Sequence, residues 1–344
     1  MENKKAIVRN FGSAEEIKIE SSVLPKLQPN EVLIKIEAST VSATDILIRK
    51  GIYPLLKEKP PFTLGYDFVG RILEVGNHVN KWKIGDRVAD VCMTGGNADY
   101  IIRKENSLLK VDEAIASEEA ACLVMTGMTA YQIFKAFNLK SGDLTLIHGG
   151  AGAIGSTLLQ LCKLNGIKTV ATASTKKMDF IQSFNAEAID YTSCKYFESL
   201  SDKSKDGFDA AFDFTNQKSF NYSFKLLKKG GKLITSAVYS SGKNIQKKTF
   251  LNFLGFGLDF GLMMMKLAWW NAFPNGKSAS FYGVLDSKKN SFIQYQADFD
   301  ELQQLVLEVK IKLVIHHVYP LKNLADAHKS LENGKVKGFQ VIKN

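Results

Sequence analysis

Arginine is scarce in this chain: only five of its 45 basic residues are arginine (Arg9, Arg49, Arg71, Arg87, Arg103), and none follows Arg103. The net charge of +10 invites a nucleic-acid reading. Sequence readers, however, favour the arginine fork for bidentate contacts to bases and phosphates. Here the lysines stand singly or in pairs among acids, as on a solvated surface, and no specific nucleic-acid function is expected. Cysteine is also sparse. Cys92, Cys122, Cys162 and Cys194 lie far apart and none pairs as CxxC, which excludes a disulfide frame and a cysteine zinc knuckle and points to a reducing compartment. The first residues, Met1 to Arg9, lack the apolar core of a secretion signal, and Glu15 and Glu16 count against a mitochondrial presequence. A cytoplasmic location is the expectation. Internal repeats and low-complexity linkers are missing as well.

One long apolar run exists, Phe250 to Phe273, ending in Met263-Met-Met265 and Trp269-Trp270. Asn252, Asp259 and Lys266 interrupt it, and a charge at the centre of a bilayer costs about 2.5–3.5 kcal/mol. A buried helix, a cleft wall or a subunit contact is the expectation, with peripheral membrane contact as the lesser alternative.

The strongest positive signal is Leu144-Thr-Leu-Ile-His148 running into Gly149-Gly-Ala-Gly-Ala-Ile-Gly155. The first five residues read as a short buried strand. Gly150, Gly152 and Gly155 form GxGxxG, and Leu158, Leu159, Leu161 and Leu164 continue at helical spacing. A strand feeding a helix through such a turn aims backbone N–H groups and the positive helix end at one spot. A pyrophosphate suits that spot, and the missing Cβ atoms let it approach. The turn, including Ala151, Ala153 and Ile154, is therefore a dinucleotide site. The competing reading is a purely structural glycine turn.

Length (344 residues) predicts two domains. The first third is β-rich: Glu31 to Ala38 alternates like a half-buried strand, Gly70 to Gly76 follows in the same style, and Gly85-Asp86-Arg87-Val88 is a turn into another strand. From about Glu118 helices and strands alternate. Ile167–Ala173, Phe208–Phe214 and Lys232–Val238, the last after a Gly230-Gly231 turn, are further strands of a parallel sheet built from βαβ units.

Five ordered motifs then carry a resemblance over essentially the whole length. They are Thr44-Asp45 through Tyr53-Pro54; Gly65-Tyr66-Asp67-Phe-Val-Gly70 with Gly85-Asp86-Arg87-Val88; Thr129-Ala130-Tyr131; the glycine turn; and Tyr319-Pro-Leu321 through Ala327-His328 and Gly334. The chain resembles the medium-chain dehydrogenase/reductase superfamily, in its zinc-independent quinone oxidoreductase (zeta-crystallin-like) branch. The resemblance implies an α/β chain: a GroES-like β-barrel catalytic domain from residues 1–122 and 287–344, with a Rossmann doubly wound parallel-sheet domain, 123–286, inserted. It implies a cofactor between the two domains and a homodimer.

Zinc-dependent relatives use a Cys before the Thr/Ser-Asp and a Gly-His-Glu; here Ser42 and Tyr66 occupy those places. A hydroxyl and a phenol do not replace thiolate and imidazole, so no metal is expected. NAD-specific relatives place an acid after the second strand, whereas this chain has Ala173-Ser174-Thr175-Lys176-Lys177. Ser174 with Lys177 (or Lys176) would hold a 2′-phosphate, which favours NADPH; an ordinary helix start is the plainer reading. The resemblance also puts Thr129, Val238 and Phe281 on the cofactor side. Tyr53, Tyr66, Ser42 and Asp45 fall on its substrate side, and Asp45 also reads as an anchor for its own loop. His148 reads as packing and His328 as structural. The implied activity is hydride delivery to a small hydrophobic quinone or α,β-unsaturated carbonyl, with Tyr53, then Tyr66, as donors to the developing oxyanion. A non-catalytic NADPH-binding scaffold at membranes or polyanions is the alternative.

Overall fold

The structure is a computed structural model that describes residues 1–53, 55–215, 217–236 and 250–344, without side chains at 217 and 250–257. In chain order the strands and helices begin with β1 (Glu2–Val8), β2 (Ile17–Val23), β3 (Glu31–Thr40), α1 (Ala43–Arg49), β4 (Phe62–Thr63) and β5 (Asp67–Val75). Next come β6 (Arg87–Val91), β7 (Tyr100–Lys104), β8 (Leu109–Lys110), α2 (Ser117–Cys122) and, after a π-helical turn at Leu123–Gly127, α3 (Met128–Phe137). The alternating part holds β9 (Leu144–His148), α4 (Ala153–Leu164), β10 (Lys168–Ala173), α5 (Met178–Gln182), β11 (Glu187–Asp190) and α6 (Tyr196–Asp202). It goes on through β12 (Phe208–Phe212), α7 (Gln217–Leu226), β13 (Leu227–Thr235), α8 (Phe250–Ala272) and β14 (Ser278–Phe281). The chain closes with α9 (Val284–Asn290), α10 (Phe292–Leu307), β15 (Ile315–Pro320), α11 (Leu324–Glu332) and β16 (Phe339–Lys343).

These elements form two compact units. The first combines Met1–Met128 with Ser291–Asn344, so both chain ends contribute to it. Its larger sheet runs β15-β16-β3-β5-β6-β8, with β7 also paired to β3, and a smaller sheet runs β2-β1-β4. Most pairings are antiparallel, and β3 is the spine: it pairs with β5, β7 and β16. Val32, Ile34 and Ile36 of β3 pack with Phe68, Ile72, Val88 and Leu108 in a buried apolar core. Burial along β3 is less alternating than its sequence predicts, because Leu33, Ser39 and Thr40 are covered as well.

The second unit takes in residues 129–236 and 253–290 among those described. Its six strands are parallel, in the order β11-β10-β9-β12-β13-β14. That order reverses direction at β9/β12, which is the doubly wound arrangement and marks the switch point where ligands bind outside the carboxyl ends of the strands. One helix-side core gathers Ile147, Leu158, Ala171, Phe212 and Ile234, another Leu146, Val170, Phe208, Leu233 and Met263. β13 begins earlier than the sequence predicts. Phe208 pairs with Leu227 and Ala210 with Lys232, so Lys228 to Gly231 bulge out of the ladder, with Gly230 at φ 85°. The expected Gly230-Gly231 turn is thus a bulge inside the strand. Among the described residues no helix is long and apolar enough to cross a membrane.

Candidate functional site

In the second unit, β9 ends at His148 and the chain turns through Gly149, which sits at φ 73°, a conformation that suits glycine. Gly150 N–H donates to Thr172 O (3.0 Å) and Gly152 N–H to Gly149 O (2.9 Å), which closes the turn before α4 starts at Ala153. The three motif glycines do different things. A Cβ at Gly150 would come 2.9 Å from the Ala171 Cβ, and one at Gly155 would come 2.4 Å from Gly149 O, so the first lets the turn lie against β10 and the second lets α4 lie against the turn. A Cβ at Gly152 would meet only Gly149 O, at 3.4 Å. Gly152 is exposed, so its bare face opens to a ligand rather than to protein. The first N–H groups of α4 lack intrahelical acceptors and carry the positive end of its dipole. The cradle fits a pyrophosphate. Ala151 is buried in the core behind it, while Ala153 and Ile154 are half-buried.

Ser174 and Lys177 lie at the carboxyl end of β10, half-buried, where Lys177 N–H donates to Ser174 O (2.8 Å) in a short 3-10 turn. Lys176 is exposed beside them. Next to this turn the structure brings an acid that the linear pattern hides. Asp190, last in β11, pairs in register with Ala173 and accepts hydrogen bonds from Thr175 Oγ1 (2.5 Å) and from Thr192 N and Oγ1. Those hydroxyls and the amide hold its carboxyl below the usual range. Nothing in the sequence around Asp190 signals this neighbour; only strand pairing does. Thr129 is buried in the first turn of α3, directly after the π-helical turn, a feature common at functional sites. Phe281 ends β14 with its ring 5.5 Å from that of Phe260. Val238 lies outside the described residues.

His148 is buried and hydrogen-bonded: its Nδ1 is 2.9 Å from the Tyr196 hydroxyl and 3.2 Å from Thr172 Oγ1. Its Nε2 stands 3.8 Å from Asp213 Oδ2. Burial lowers the imidazole pKa against the pull of Asp213, so a neutral ring backs the glycine turn.

In the first unit, four of the sequence's nominees are brought together. Gly65, at φ 109°, packs so tightly that a Cβ there would come 2.3 Å from Asn97 N, and this sets the path of Tyr66 and Asp67. The Tyr66 hydroxyl lies 3.1 Å from that of Tyr53, and the rings meet edge-on at 6.0 Å. Tyr66 is buried and Tyr53 half-buried. Burial, with Tyr53 beside it, pushes the Tyr66 phenol well above its usual pKa, so it stays protonated.

Ser42 and Asp45 are turned toward each other at the start of α1. Ser42 donates to Asp45 Oδ2 through N–H (2.9 Å) and Oγ–H (2.7 Å), and Tyr66 N–H donates to Asp45 Oδ1 (3.1 Å). Asp45 therefore pins the helix start to the bend that leads into β5. Behind it lies Asp67, which accepts from Thr40 N–H (2.8 Å) and Oγ–H (2.7 Å). Burial raises Asp45 to about 6 against the Ser42 and Tyr66 donors. It raises Asp67 to about 7 against the Thr40 donors, with the Asp45 charge adding. In the sequence Asp67 stands only as a motif member, and its place next to Tyr66 is the signal for it.

The donor set does not fit a zinc ion. A phenol and a hydroxyl take the places of imidazole and thiolate, Asp45 and Asp67 are engaged with backbone and hydroxyl donors, and Cys92 Sγ contacts Gly65 O at 3.5 Å. Among the described residues no group of three or more His, Cys, Asp or Glu is placed to hold a metal.

The alcohol dehydrogenase GroES-like domain family matches residues 28–133, and the zinc-binding dehydrogenase family matches residues 185–342. Quinone oxidoreductase of Rattus norvegicus is 27% identical over 345 residues, covering 97% of this chain and 95% of that protein. The 2-methylene-furan-3-one reductase of Solanum lycopersicum is 33% identical over 248 residues, 68% of this chain and 62% of its own. The solved quinone oxidoreductase of Coxiella burnetii superposes with a TM-score of 0.80 at 25% identity, covering 100% of both chains. The chain belongs to the medium-chain dehydrogenase/reductase superfamily, and within it to the quinone oxidoreductase, zeta-crystallin-like branch.

Proposed function

We propose that this chain is an NADPH-dependent reductase that reduces a small hydrophobic quinone or α,β-unsaturated carbonyl without a metal. The observation that carries the reading is the combination of an open Gly152 cradle at the switch point with a phenol pair, Tyr53 and Tyr66, of which Tyr66 falls where the resemblance puts a metal ligand of zinc-dependent relatives. Names of relatives support it on both sides, one a quinone oxidoreductase and one a reductase of a methylene-furanone. When bound, NADPH supplies a hydride.

The chain's own residues do the rest. The Gly149–Gly155 turn and the start of α4 bind the pyrophosphate, and Ser174 with Lys177 binds the 2′-phosphate. Conjugation makes the acceptor carbon electrophilic, so the protein has to stabilise only the oxygen that becomes an enolate or quinolate. Tyr53, the less buried phenol, donates to that oxygen, and Tyr66 holds Tyr53 in place through the 3.1 Å hydroxyl contact. Ser42 and Asp45 act as positioning residues, because their hydrogen bonds close on each other and on Tyr66.

The test is NADPH oxidation followed at 340 nm against a quinone and a set of medium-chain enones, with and without chelator. Chelator-resistant turnover that prefers NADPH over NADH supports the reading, and the better acceptor chooses the substrate class. NADPH binding without turnover of any acceptor overturns it.

A further inference from the structure

Between the lysine turn and β11 stands a carboxylate to which the proposed function gives no task. Asp190 ends β11 opposite Ala173 of β10, and the pairing runs one step further, with Tyr191 N–H donating to Ala173 O (3.0 Å). Ser174 follows directly on that pair. The Asp190 side chain is anchored from two sides. Its Oδ2 accepts from Thr175 Oγ1 (2.5 Å), and its Oδ1 accepts from Thr192 N–H (2.8 Å) and Oγ1 (2.7 Å). Thr175 lies between Ser174 and Lys177, the two residues assigned to the 2′-phosphate. The carboxylate is therefore built into the same turn, and it cannot swing away without breaking these hydrogen bonds.

Charge makes this placement matter. The donors on Asp190 are two hydroxyls and an amide, which favour the ionised form. They orient the negative charge without cancelling it, and among the described residues no lysine or arginine bonds to either oxygen. Oδ2, with a single donor, keeps room for another. In dinucleotide folds the acid that reads the adenosine ribose follows the second strand and accepts from its 2′-hydroxyl. The second strand of this unit is β10, and Ser174 stands after it. Here the acid arrives instead from the adjacent strand, one strand spacing of about 4.8 Å away. A free 2′-hydroxyl can donate to a carboxylate, whereas a 2′-phosphate brings acceptor oxygens and a like charge.

Resting on the reading of this turn as the NADPH site, we propose that Asp190 is a specificity-determining residue for the cofactor. Its carboxylate opposes the 2′-phosphate that Ser174 and Lys177 hold and accepts from the 2′-hydroxyl of NADH, so the chain takes NADH as a second reductant. Lysine and acid thus work against each other at one ribose position, and NADPH stays ahead by a narrowed margin. The opposition is modest in size, because Asp190 is half-buried and water and salt screen it. Two charges several ångström apart in water interact by about RT, which for a doubly charged phosphate amounts to roughly 5- to 10-fold in affinity.

The experiment is calorimetric titration of the full chain with NADPH and with NADH, at low salt, for wild type, Asp190→Asn, Asp190→Ser and Asp190→Glu. Removing the charge should tighten NADPH by roughly 5- to 10-fold and weaken NADH by about 3-fold, in the asparagine and serine variants alike. Asp190→Glu keeps the charge and should hold both affinities within about 3-fold of wild type. The ratio of two affinities measured on one variant does not depend on how much of that variant is folded, and the serine variant stands in if asparagine is not tolerated. An unchanged NADPH-to-NADH ratio in the neutral variants overturns the role of Asp190 alone. Equal weakening of both cofactors does the same, and makes the acid a brace for the Thr175 turn. A wild type that binds neither cofactor overturns the role of Asp190 together with the proposed function.

Discussion

At the scale of single residues, the proposed function assigns the chemistry to the phenol pair and the choice of cofactor to the lysine turn. Tyr53→Phe removes one hydroxyl from a half-buried position, and kcat/KM toward an enone or quinone should fall by about 100- to 1000-fold, within the range expected for loss of a proton or oxyanion donor. NADPH affinity, read by cofactor fluorescence, should stay unchanged; an unaltered kcat/KM would remove Tyr53 from the site. Lys177→Ala should weaken NADPH by about 10-fold or more, as expected for a charge-assisted hydrogen bond of about 1.5–3 kcal/mol, and leave NADH untouched. Equal losses for both cofactors would assign Lys177 to the fold instead. Residue type and motif order brought Ser42, Asp45, Tyr53 and Tyr66 into view together. Their mutual geometry was only half legible. Ser42-Ala-Thr-Asp45 has the spacing of a helix-start box, which explains why the serine and the aspartate turn to each other. The meeting of Tyr53 with Tyr66 has no local signal, since 13 positions separate them. Asp190 beside Thr175 is a product of β10–β11 pairing alone.

At the scale of elements, the glycine turn makes a sharp prediction because its three glycines face different neighbours. Gly150→Ala and Gly155→Ala push a methyl to 2.9 Å from the Ala171 Cβ and 2.4 Å from Gly149 O, so both should lower the melting temperature, at a cost of about 1–3 kcal/mol for overpacking. Gly152→Ala meets protein only at 3.4 Å and has φ −80°, so it should melt within about 0.5 kcal/mol of wild type. It should nevertheless lose NADPH affinity at least 10-fold, because the methyl stands on the open side. Calorimetry and cofactor titration of the three variants check the division of labour; a Gly152→Ala protein with normal affinity would move the pyrophosphate elsewhere. Strands β9, β10 and β12 were legible because buried parallel strands are short apolar runs between helical stretches. The bulge of Lys228 to Gly231 was not: two adjacent glycines signal a break in a strand, but only the pairing of Leu227 with Phe208 keeps both sides of the break in one strand.

For the whole molecule, buried titratable groups give stability a pH dependence with opposing parts. Burial, with the Arg49 charge, lowers His328 to about 3, against an ordinary 6.5. Between those values the unfolded chain binds a proton that the folded chain refuses, so this group makes stability fall as pH drops below about 6.5. Asp45 and Asp67, raised to about 6 and about 7 from 3.8, act the other way. Their protons are held in the folded chain and absent from the unfolded one above pH 3.8, so their contribution is fully present below that value and is lost as pH rises through 6 and 7. Each such group changes stability by up to ~1.4 kcal/mol per pH unit. Asp67→Asn should therefore gain stability relative to wild type on going from pH 5 to pH 8, by roughly 1–3 kcal/mol in urea denaturation; a difference independent of pH would mean that Asp67 is ionised in the folded chain throughout. The sequence by itself determined the β-rich first third, the alternation of strands and helices after it, the glycine turn between β9 and α4, and the family, because apolar period, glycine spacing and motif order are all written locally along the chain. Tertiary structure alone decided that Asp45 and Asp67 share a buried site, that Asp190 stands by the lysine turn, and which side of α8 is left bare, Met263 and Leu267 being buried and Leu258 and Trp269 exposed. Burial and neighbourhood depend on segments far apart in the chain, and no local pattern encodes what folds against them.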